Sequence, residues 1–162
     1  MATIAFKELR QFLKNEVNKV ATQSVRRSAL QIVNDLQTLG PYWDGHFYDA
    51  WEVREGDVDI PADQQGTEWK HGDKADSHPK KGAFVLADIP NPPITFRGQA
   101  LTLTIGNRME YRDIALDLEP GRIKSGGNET APQDWYVTYY AGGQMDAAVK
   151  ETLKQRISLP GE

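Results

Sequence analysis

The segment SALQIVNDLQTLGPYWDGHFYDAWEV, residues 28–53, joins the end of a helical pattern to the start of a strand pattern. In its first part and in the residues before it, apolar side chains recur every three or four positions, which predicts one long helix over residues 1–39. Gly40 and Pro41 predict the end of this helix, because glycine accepts the left-handed cap and proline cannot continue a helix. Such a helix is about 50 Å long at 1.5 Å per residue, so part of it is expected to reach beyond its own domain.

The second part of this segment contains an aromatic cluster with two competing interpretations. A turn at Asp44–Gly45 followed by alternation over His46–Arg54 predicts a strand. The cluster either packs under the long helix, with Trp43 closing the end of that helix, or forms a platform for a sugar ring. The expected buried face of the strand consists of Phe47, Trp51 and Val53, and this alternation favours core packing. The predicted structural core comprises Trp43, Phe47, Trp51, Tyr111 and Leu118.

A second strand and a long loop are predicted in the middle of the chain. Residues 99–106 alternate Leu and Ile with Thr, which is typical of a strand with one buried face. Residues 55–93 are rich in Gly, Pro, Asp and Lys and predict an extended loop insertion, with a short strand at 83–89. We expect this loop to become ordered on contact with a neighbouring protein.

The remaining segments predict helices. Residues 107–122 predict a short helix or turn, and residues 134–157 predict a C-terminal helix. A kink is expected at Gly142 and Gly143, because each glycine in a helix costs about 1 kcal/mol relative to alanine. The expected apolar face of the C-terminal helix comprises Tyr136, Tyr140, Ala147, Ala148, Leu153 and Ile157. The chain therefore predicts a single α+β domain over residues 1–162, with the N- and C-terminal helices packed on a small, mainly antiparallel sheet.

Composition narrows the classes of function. The chain of 162 residues has no cysteine, which excludes a disulfide framework, a thiolate metal site and a cysteine nucleophile. No apolar run approaches the roughly 18 residues that a membrane helix needs, so no membrane role is expected.

The charges are unevenly distributed along the chain. Residues 1–39 hold six Lys and Arg against three Asp and Glu, whereas residues 40–162 hold thirteen Lys and Arg against twenty Asp and Glu. This acidic majority argues against tight wrapping of nucleic acid, which requires clustered cations.

No motif predicts catalysis, a cofactor or a metal ion. His71 and His78 lie in a Lys- and Asp-rich loop that offers little rigid support for a metal. Asp44, His46 and Asp49 are residue types that bind metals but show no ligand spacing. The chain has no G-x-S-x-G nucleophile motif, and the segment around Ser125 lacks the order of a phosphate-binding loop. We therefore predict no catalytic, cofactor-binding or metal-ligating residue.

Three short motifs carry a resemblance to a known family. They are WDGHFYDAW at residues 43–51, TIGNRMEYRDIALDLEPG at 104–121 and APQDWYV at 131–137, preceded by the long N-terminal helix. In this order they resemble the tail-completion or neck proteins that join heads to tails in long-tailed bacteriophages. The chain differs from the usual family pattern in three ways. The turn at residues 44–45 lacks a Thr between Asp and Gly, the segment from Tyr111 to Glu119 is longer than the usual YAxxLE, and the loop at 55–93 is large.

The resemblance implies a structural role without catalysis or cofactor. Family members are small α+β subunits that assemble as a ring between the head portal and the tail tube. The implied partners are further copies in a homo-oligomeric ring, other neck proteins, portal or adaptor proteins, and tail-tube or terminator proteins. DNA would pass through the ring without specific binding. The expected location is the neck of the virion, after synthesis in the host cytoplasm.

The candidate interface residues lie in two segments, an acidic segment after the second strand and the Lys-containing long loop. A lumen or a partner ring is expected to face Asp113, Asp117 and Glu119. The loop at 55–93 contributes Trp69, Lys70, Lys80 and Lys81. Two alternatives stay open at this point. One is a tail terminator protein, which forms a ring further along the tail. The other is a carbohydrate-binding or hydrolase module that uses Trp43 and Trp51.

Overall fold

The computed structural model describes residues 6–41, 46–64, 84–91, 101–116, 131 and 134–154. The elements in chain order are helix α1 (Phe6–Leu39), helix α2 (His46–Asp49), strand β1 (Trp51–Glu55), strand β2 (Leu103–Asn107), helix α3 (Arg112–Leu116), helix α4 (Trp135–Ala141) and helix α5 (Gln144–Lys154). The fold is α+β, as the sequence predicted: a long N-terminal helix and the C-terminal helices accompany a small antiparallel sheet.

The sheet places apolar side chains on the face that α1 covers. Strands β1 and β2 pair antiparallel with Val53 opposite Ile105 and Trp51 opposite Asn107. Trp51 and Val53 are buried, as the alternation of the sequence predicted. Within the described residues the sheet has two strands, and α1 contacts both of them.

The core lies between this sheet, the second half of α1 and the C-terminal helices. Helix α5 runs antiparallel to the second half of α1, and the buried hydroxyl groups of Ser28 and Thr152 are 2.7 Å apart. Buried apolar side chains from every layer form one cluster: Ala29, Val33, Leu36, Phe47, Ala50, Trp51, Val53, Ile89, Met109, Ala115, Ala131, Trp135 and Tyr139. Within the described residues, α1 contributes to this cluster only through its second half, with Ala29, Val33 and Leu36.

Gly40 ends α1 at a point where no side chain fits. A Cβ atom at this position would lie 2.7 Å from the Leu36 carbonyl oxygen, 3.2 Å from Trp135 and 3.3 Å from Phe47. The Gly40 amide donates a 3.0 Å hydrogen bond to the same carbonyl. The predicted helix stop is therefore confirmed, and two aromatic rings close the helix end. The predicted left-handed cap is wrong, because among the described glycines only Gly56 and Gly143 have a positive φ.

The outer face of the sheet is covered by residues 56–64. Thr104 Oγ1 donates a 2.7 Å hydrogen bond to the Gly56 carbonyl oxygen. The Arg108 guanidinium donates to both carboxylate oxygens of Asp63 at 2.8 Å, and this pairing lowers the pKa of the Asp63 carboxyl. These bonds position Val58 and Ile60 along β2.

The predicted strand over His46–Arg54 is wrong in its first half, because His46–Asp49 form a helical turn. Two buried side chains donate hydrogen bonds to backbone carbonyl groups that would pair with another strand in a sheet. Asn107 Nδ2 donates to the Phe47 carbonyl at 2.7 Å, and Gln37 Nε2 donates to the Tyr48 carbonyl at 3.0 Å. Tyr48, expected on the solvent side, is consequently buried.

The short strand predicted at residues 83–89 is also wrong, because Leu86–Asp88 form a 3₁₀ turn. The Arg26 guanidinium of α1 donates to the carbonyl oxygens of Leu86 at 2.6 Å and Ile89 at 2.9 Å. The Asp88 carboxylate accepts a 2.8 Å hydrogen bond from the Val85 amide. These polar groups satisfy the backbone, so no neighbouring strand is required.

The C-terminal helix breaks where the sequence predicted, but its buried face differs. Gly143 adopts a φ of +83° between α4 and α5, a conformation that glycine accepts without strain. Tyr140 and Leu153, both on the expected apolar face, are each 59% exposed. The buried residues are Trp135, Tyr139 and Thr152. A single helical period does not carry across the break, because Gly143 leaves the helical conformation between α4 and α5.

Candidate functional site

The predicted interface residues are described only in part. Asp113 lies on α3 with its side chain 91% exposed, 3.8 Å from the Arg112 guanidinium. The other six, Asp117, Glu119, Trp69, Lys70, Lys80 and Lys81, lie outside the described residues. The structure therefore places one member of this set on the surface.

The predicted core residues fall into two groups. Phe47 is 2% exposed and Trp51 is 6% exposed, and their rings make an edge-to-face contact at 5.7 Å. Tyr111 is partly buried and stacks on Phe47 at 6.3 Å. Trp43 and Leu118 lie outside the described residues. A sugar platform needs exposed aromatic faces, so Trp51 is not available for one.

The first half of α1 leaves an apolar stripe on the surface. We call residues 6–20 the arm, and its exposed Leu9, Phe12, Leu13 and Val17 the arm stripe. These four side chains are 42%, 61%, 54% and 60% exposed, respectively. Spacings of three and four residues place them on one face of the helix. Contiguous exposed apolar surface of this kind marks interaction sites.

The charges around the arm stripe are mainly basic. The arm holds four Lys and Arg residues against two Glu residues. At 100° per residue, Arg10 and Lys14 follow one border of the stripe, Lys19 lies beside Glu8 on the other, and Glu16 lies within the stripe. The arm therefore has one basic flank, formed by Arg10 and Lys14, and its apolar face contains one carboxylate.

A second surface is an apolar groove beside β2. The groove has a volume of about 500 Å³ and is lined by all five residues of β2, by the second half of α1, by residues 58–60 and by α4. Its apolar walls include Leu36, Val58, Ile60, Leu103, Ile105 and Tyr140. Val58 is 41% exposed and Tyr140 is 59% exposed, so the groove opens to solvent.

One acidic residue lines this groove, and two more are next to lining residues in the chain or in the strand pair. Glu55, Asp57 and Asp59 are all exposed, and Asp59 contributes directly to the lining. Glu55 lies opposite Leu103 in the strand pair, and Asp57 precedes Val58 in the chain. We call these three residues the acidic rim. The guanidinium of Arg112, also in the lining, donates to the carbonyl oxygens of Ile60 and Asn107.

One buried donor in the groove wall has no acceptor. Trp51 is 6% exposed, and its Nε1 has no hydrogen-bond partner within the part of the chain that the structure describes. Buried polar groups are normally paired, so this indole N–H is an exception among the described residues.

Tyr139 contributes to the lining of the groove and is linked to α1. Its hydroxyl donates a 3.0 Å hydrogen bond to Asp35 Oδ2, and Gln31 Nε2 donates to the other oxygen at 2.7 Å. Burial raises the pKa of the Tyr139 hydroxyl well above its ordinary 10.0, and the negative charge of Asp35 raises it further. The hydroxyl is held in its neutral form.

This pKa shift predicts a loss of stability in alkaline solution. Above pH 10 the unfolded chain releases the Tyr139 proton while the folded chain retains it, so the free energy of unfolding falls as pH rises. Tyr139→Phe is expected to reduce this fall, which is measured by urea unfolding at pH 7 and pH 11. Tyr140→Phe, on the same helix and exposed, is the matched control. An equal fall in Tyr139→Phe and the unmodified protein would contradict the assignment.

The described residues offer no other obvious site. Among them, no group of three or more His, Asp or Glu side chains is placed to hold a metal ion. No helix within the described ranges is both long enough and apolar enough to cross a membrane.

Comparisons of the chain with models of protein families, with curated proteins and with solved structures give no match. Function is therefore inferred from the arm stripe, the groove and the sequence motifs.

The structure thus offers two surfaces on which a protein could bind, the arm stripe and the groove. The long helix pattern predicted the arm, because the helix exceeded what one domain can cover. The groove was not predicted, since Val58 and Tyr140 are far apart in the sequence. One signal was available: EGDVD at residues 55–59 places three carboxylates around a single apolar side chain.

Proposed function

We propose that the protein is a structural subunit of a tailed-phage virion, forming a ring in the neck that joins the head portal to the tail. The exposed arm stripe is the observation that carries this proposal. Four large apolar side chains on one helix face, each at least 42% exposed, need a neighbouring surface to complete their packing. A subunit of a ring has such a neighbour on each side.

The sequence motifs give the proposal its biological setting. The segments at 43–51, 104–121 and 131–137 follow the long helix in the order of tail-completion and neck proteins. Further partners are then the other neck proteins, the portal or adaptor above and the tail-tube or terminator proteins below. The protein is made in the host cytoplasm and ends in the virion.

The charge distribution suits a channel through which DNA passes. Residues 40–162 carry thirteen Lys and Arg against twenty Asp and Glu. A lumen wall of this sign repels phosphate and lets DNA move without specific binding. Asp113, with its side chain 91% exposed, is a candidate for that wall. In this role the protein needs no catalytic residue and no cofactor.

Deletion of the gene from its source phage tests the proposal. Electron microscopy of the lysate is expected to show filled heads beside separate tails, because the joint between them is incomplete. A plasmid copy of the gene supplied during infection is the control and should restore joined particles. Normal infectious particles from the deletion strain would reject a neck function.

A further inference from the structure

We propose that the arm stripe of one copy lies in the groove of the next copy. This inference rests on the proposed function as a ring subunit and specifies the contact between neighbours. The occupant of the groove is then a helix of this same chain, bound through Leu9, Phe12, Leu13 and Val17. Each copy donates an arm on one side and receives an arm on the other.

The arm cannot reach the groove of its own copy. Ile32 and Leu36 of α1 line that groove, whereas the arm is the other end of the same helix. Leu13 lies 23 positions before Leu36, about 35 Å away at 1.5 Å per residue. Bringing the stripe back would require breaking a helix that is continuous over 34 residues. The groove and the stripe can therefore meet only between two molecules.

The shapes of the two surfaces are complementary. Amphipathic helices commonly bind apolar grooves through anchor residues spaced three or four positions apart, which is the spacing of Leu9, Phe12, Leu13 and Val17. The groove of about 500 Å³ offers apolar walls with exposed Val58 and Tyr140 at its opening. A docked helix would also cover the side of β2 that has no strand partner among the described residues, as helices often cover sheet edges.

Charge distinguishes this contact from a pairing of two arms. Two arms packed against each other can bring Arg10 and Lys14 of one copy near the same basic residues of the other. In the groove, the same residues approach the acidic rim of Glu55, Asp57 and Asp59. Opposite charges at the rim favour the arm in the groove and fix its orientation.

The contact joins two different surfaces, so it is heterologous. A dimer held by such a contact still has one unoccupied arm and one unoccupied groove. Each added copy leaves the same two surfaces unoccupied at the ends of the assembly. They continue until the rotation between neighbours closes a ring, or they form a filament. A heterologous contact therefore gives the proposed ring its connectivity.

Disulfide cross-linking tests the contact directly, because the chain has no cysteine of its own. Phe12→Cys places a thiol on the arm stripe, and Val58→Cys places one at the groove opening. A mixture of the two purified variants, oxidised at high protein concentration, is expected to give one covalent dimer on a non-reducing gel. The double variant should give a ladder of dimers, trimers and larger species. Circular dichroism of each variant checks that it is folded.

Val137→Cys is the matched control for the groove. Val137 is 57% exposed on α4 and does not line the groove. A mixture of Phe12→Cys with Val137→Cys is expected to give at least about tenfold less dimer. In the Val58→Cys protein, the added substitution Asp57→Lys should lower the yield of dimer with Phe12→Cys several-fold by repelling the basic flank. Added salt should lower the yield of the Phe12→Cys and Val58→Cys mixture without that substitution as well.

Each other outcome rejects the proposal in a recognisable way. A dimer from Phe12→Cys alone would show that arms pair with arms, and one from Val58→Cys alone would show that grooves meet. No product in any mixture, or equal product with Val137→Cys, would mean that arm and groove do not meet. Because purified protein is used, these results are independent of particle assembly. An absent cross-link together with unjoined heads and tails after gene deletion would reject the contact and keep the neck function.

Discussion

Trp135→Ala is expected to lower the free energy of unfolding by about 3–5 kcal/mol, the usual range for removing a buried Trp. Trp135 is 4% exposed, and its ring meets Phe47 edge to face at 6.4 Å. Its Nε1 donates a 2.9 Å hydrogen bond to the Ala115 carbonyl, which loses its partner in the variant. The ring also covers Gly40, so the end of α1 becomes exposed. Chemical denaturation of the purified variant measures the loss.

Val137→Ala is the matched control for this prediction. Val137 lies on the same helix, two residues away, and is 57% exposed. Its replacement is expected to change stability by less than about 0.5 kcal/mol, as surface substitutions usually do. Equal effects of the two substitutions would contradict the placement of Trp135 in the core.

Asn107→Ala is expected to cost about 2–6 kcal/mol, because two buried backbone groups lose their partners at about 1–3 kcal/mol each. Asn107 is 2% exposed. Its Nδ2 donates to the Phe47 carbonyl at 2.7 Å, and its Oδ1 accepts a hydrogen bond from the Met109 amide at 3.0 Å. The side chain thus fixes helix α2 against the end of β2. Thermal and urea unfolding both measure the loss.

Two further variants define the role of Asn107. Asn107→Asp keeps the acceptor for the Met109 amide but turns the oxygen of a carboxylate towards the Phe47 carbonyl, so it is expected to be destabilised as well. Asn91→Ala, at an exposed position, is the control and should change stability by less than about 0.5 kcal/mol. If Asn107→Ala behaved like Asn91→Ala, the two hydrogen bonds would not stabilise the fold.

The sequence correctly predicted those features that are determined by residues close together in the chain. The end of α1 follows from Gly40 and Pro41, and the break between α4 and α5 follows from Gly142 and Gly143. The alternation that places Trp51 and Val53 in the core was likewise local. Periodicity and turn residues are sufficient for features of this kind.

Features fixed by distant residues were missed. The helical turn at Phe47 depends on Asn107, sixty positions later in the chain. The turn at Leu86 depends on Arg26 of α1, and the groove needs Val58 and Tyr140 to meet in space. No local pattern contains this information. For the same reason the arm was predictable as a helix, but its docking site was not.

The division of α1 into a buried half and an exposed half has a consequence for how the arm forms. An isolated helix as short as the arm is marginal in water, because its first turn orders several residues for one hydrogen bond. Here the buried half, packed through Ala29, Val33 and Leu36, supplies that first turn. The arm then only propagates an existing helix, one residue at a time. Helical order should fade from Val20 towards Phe6 in the free protein, and amide exchange should quicken in the same direction.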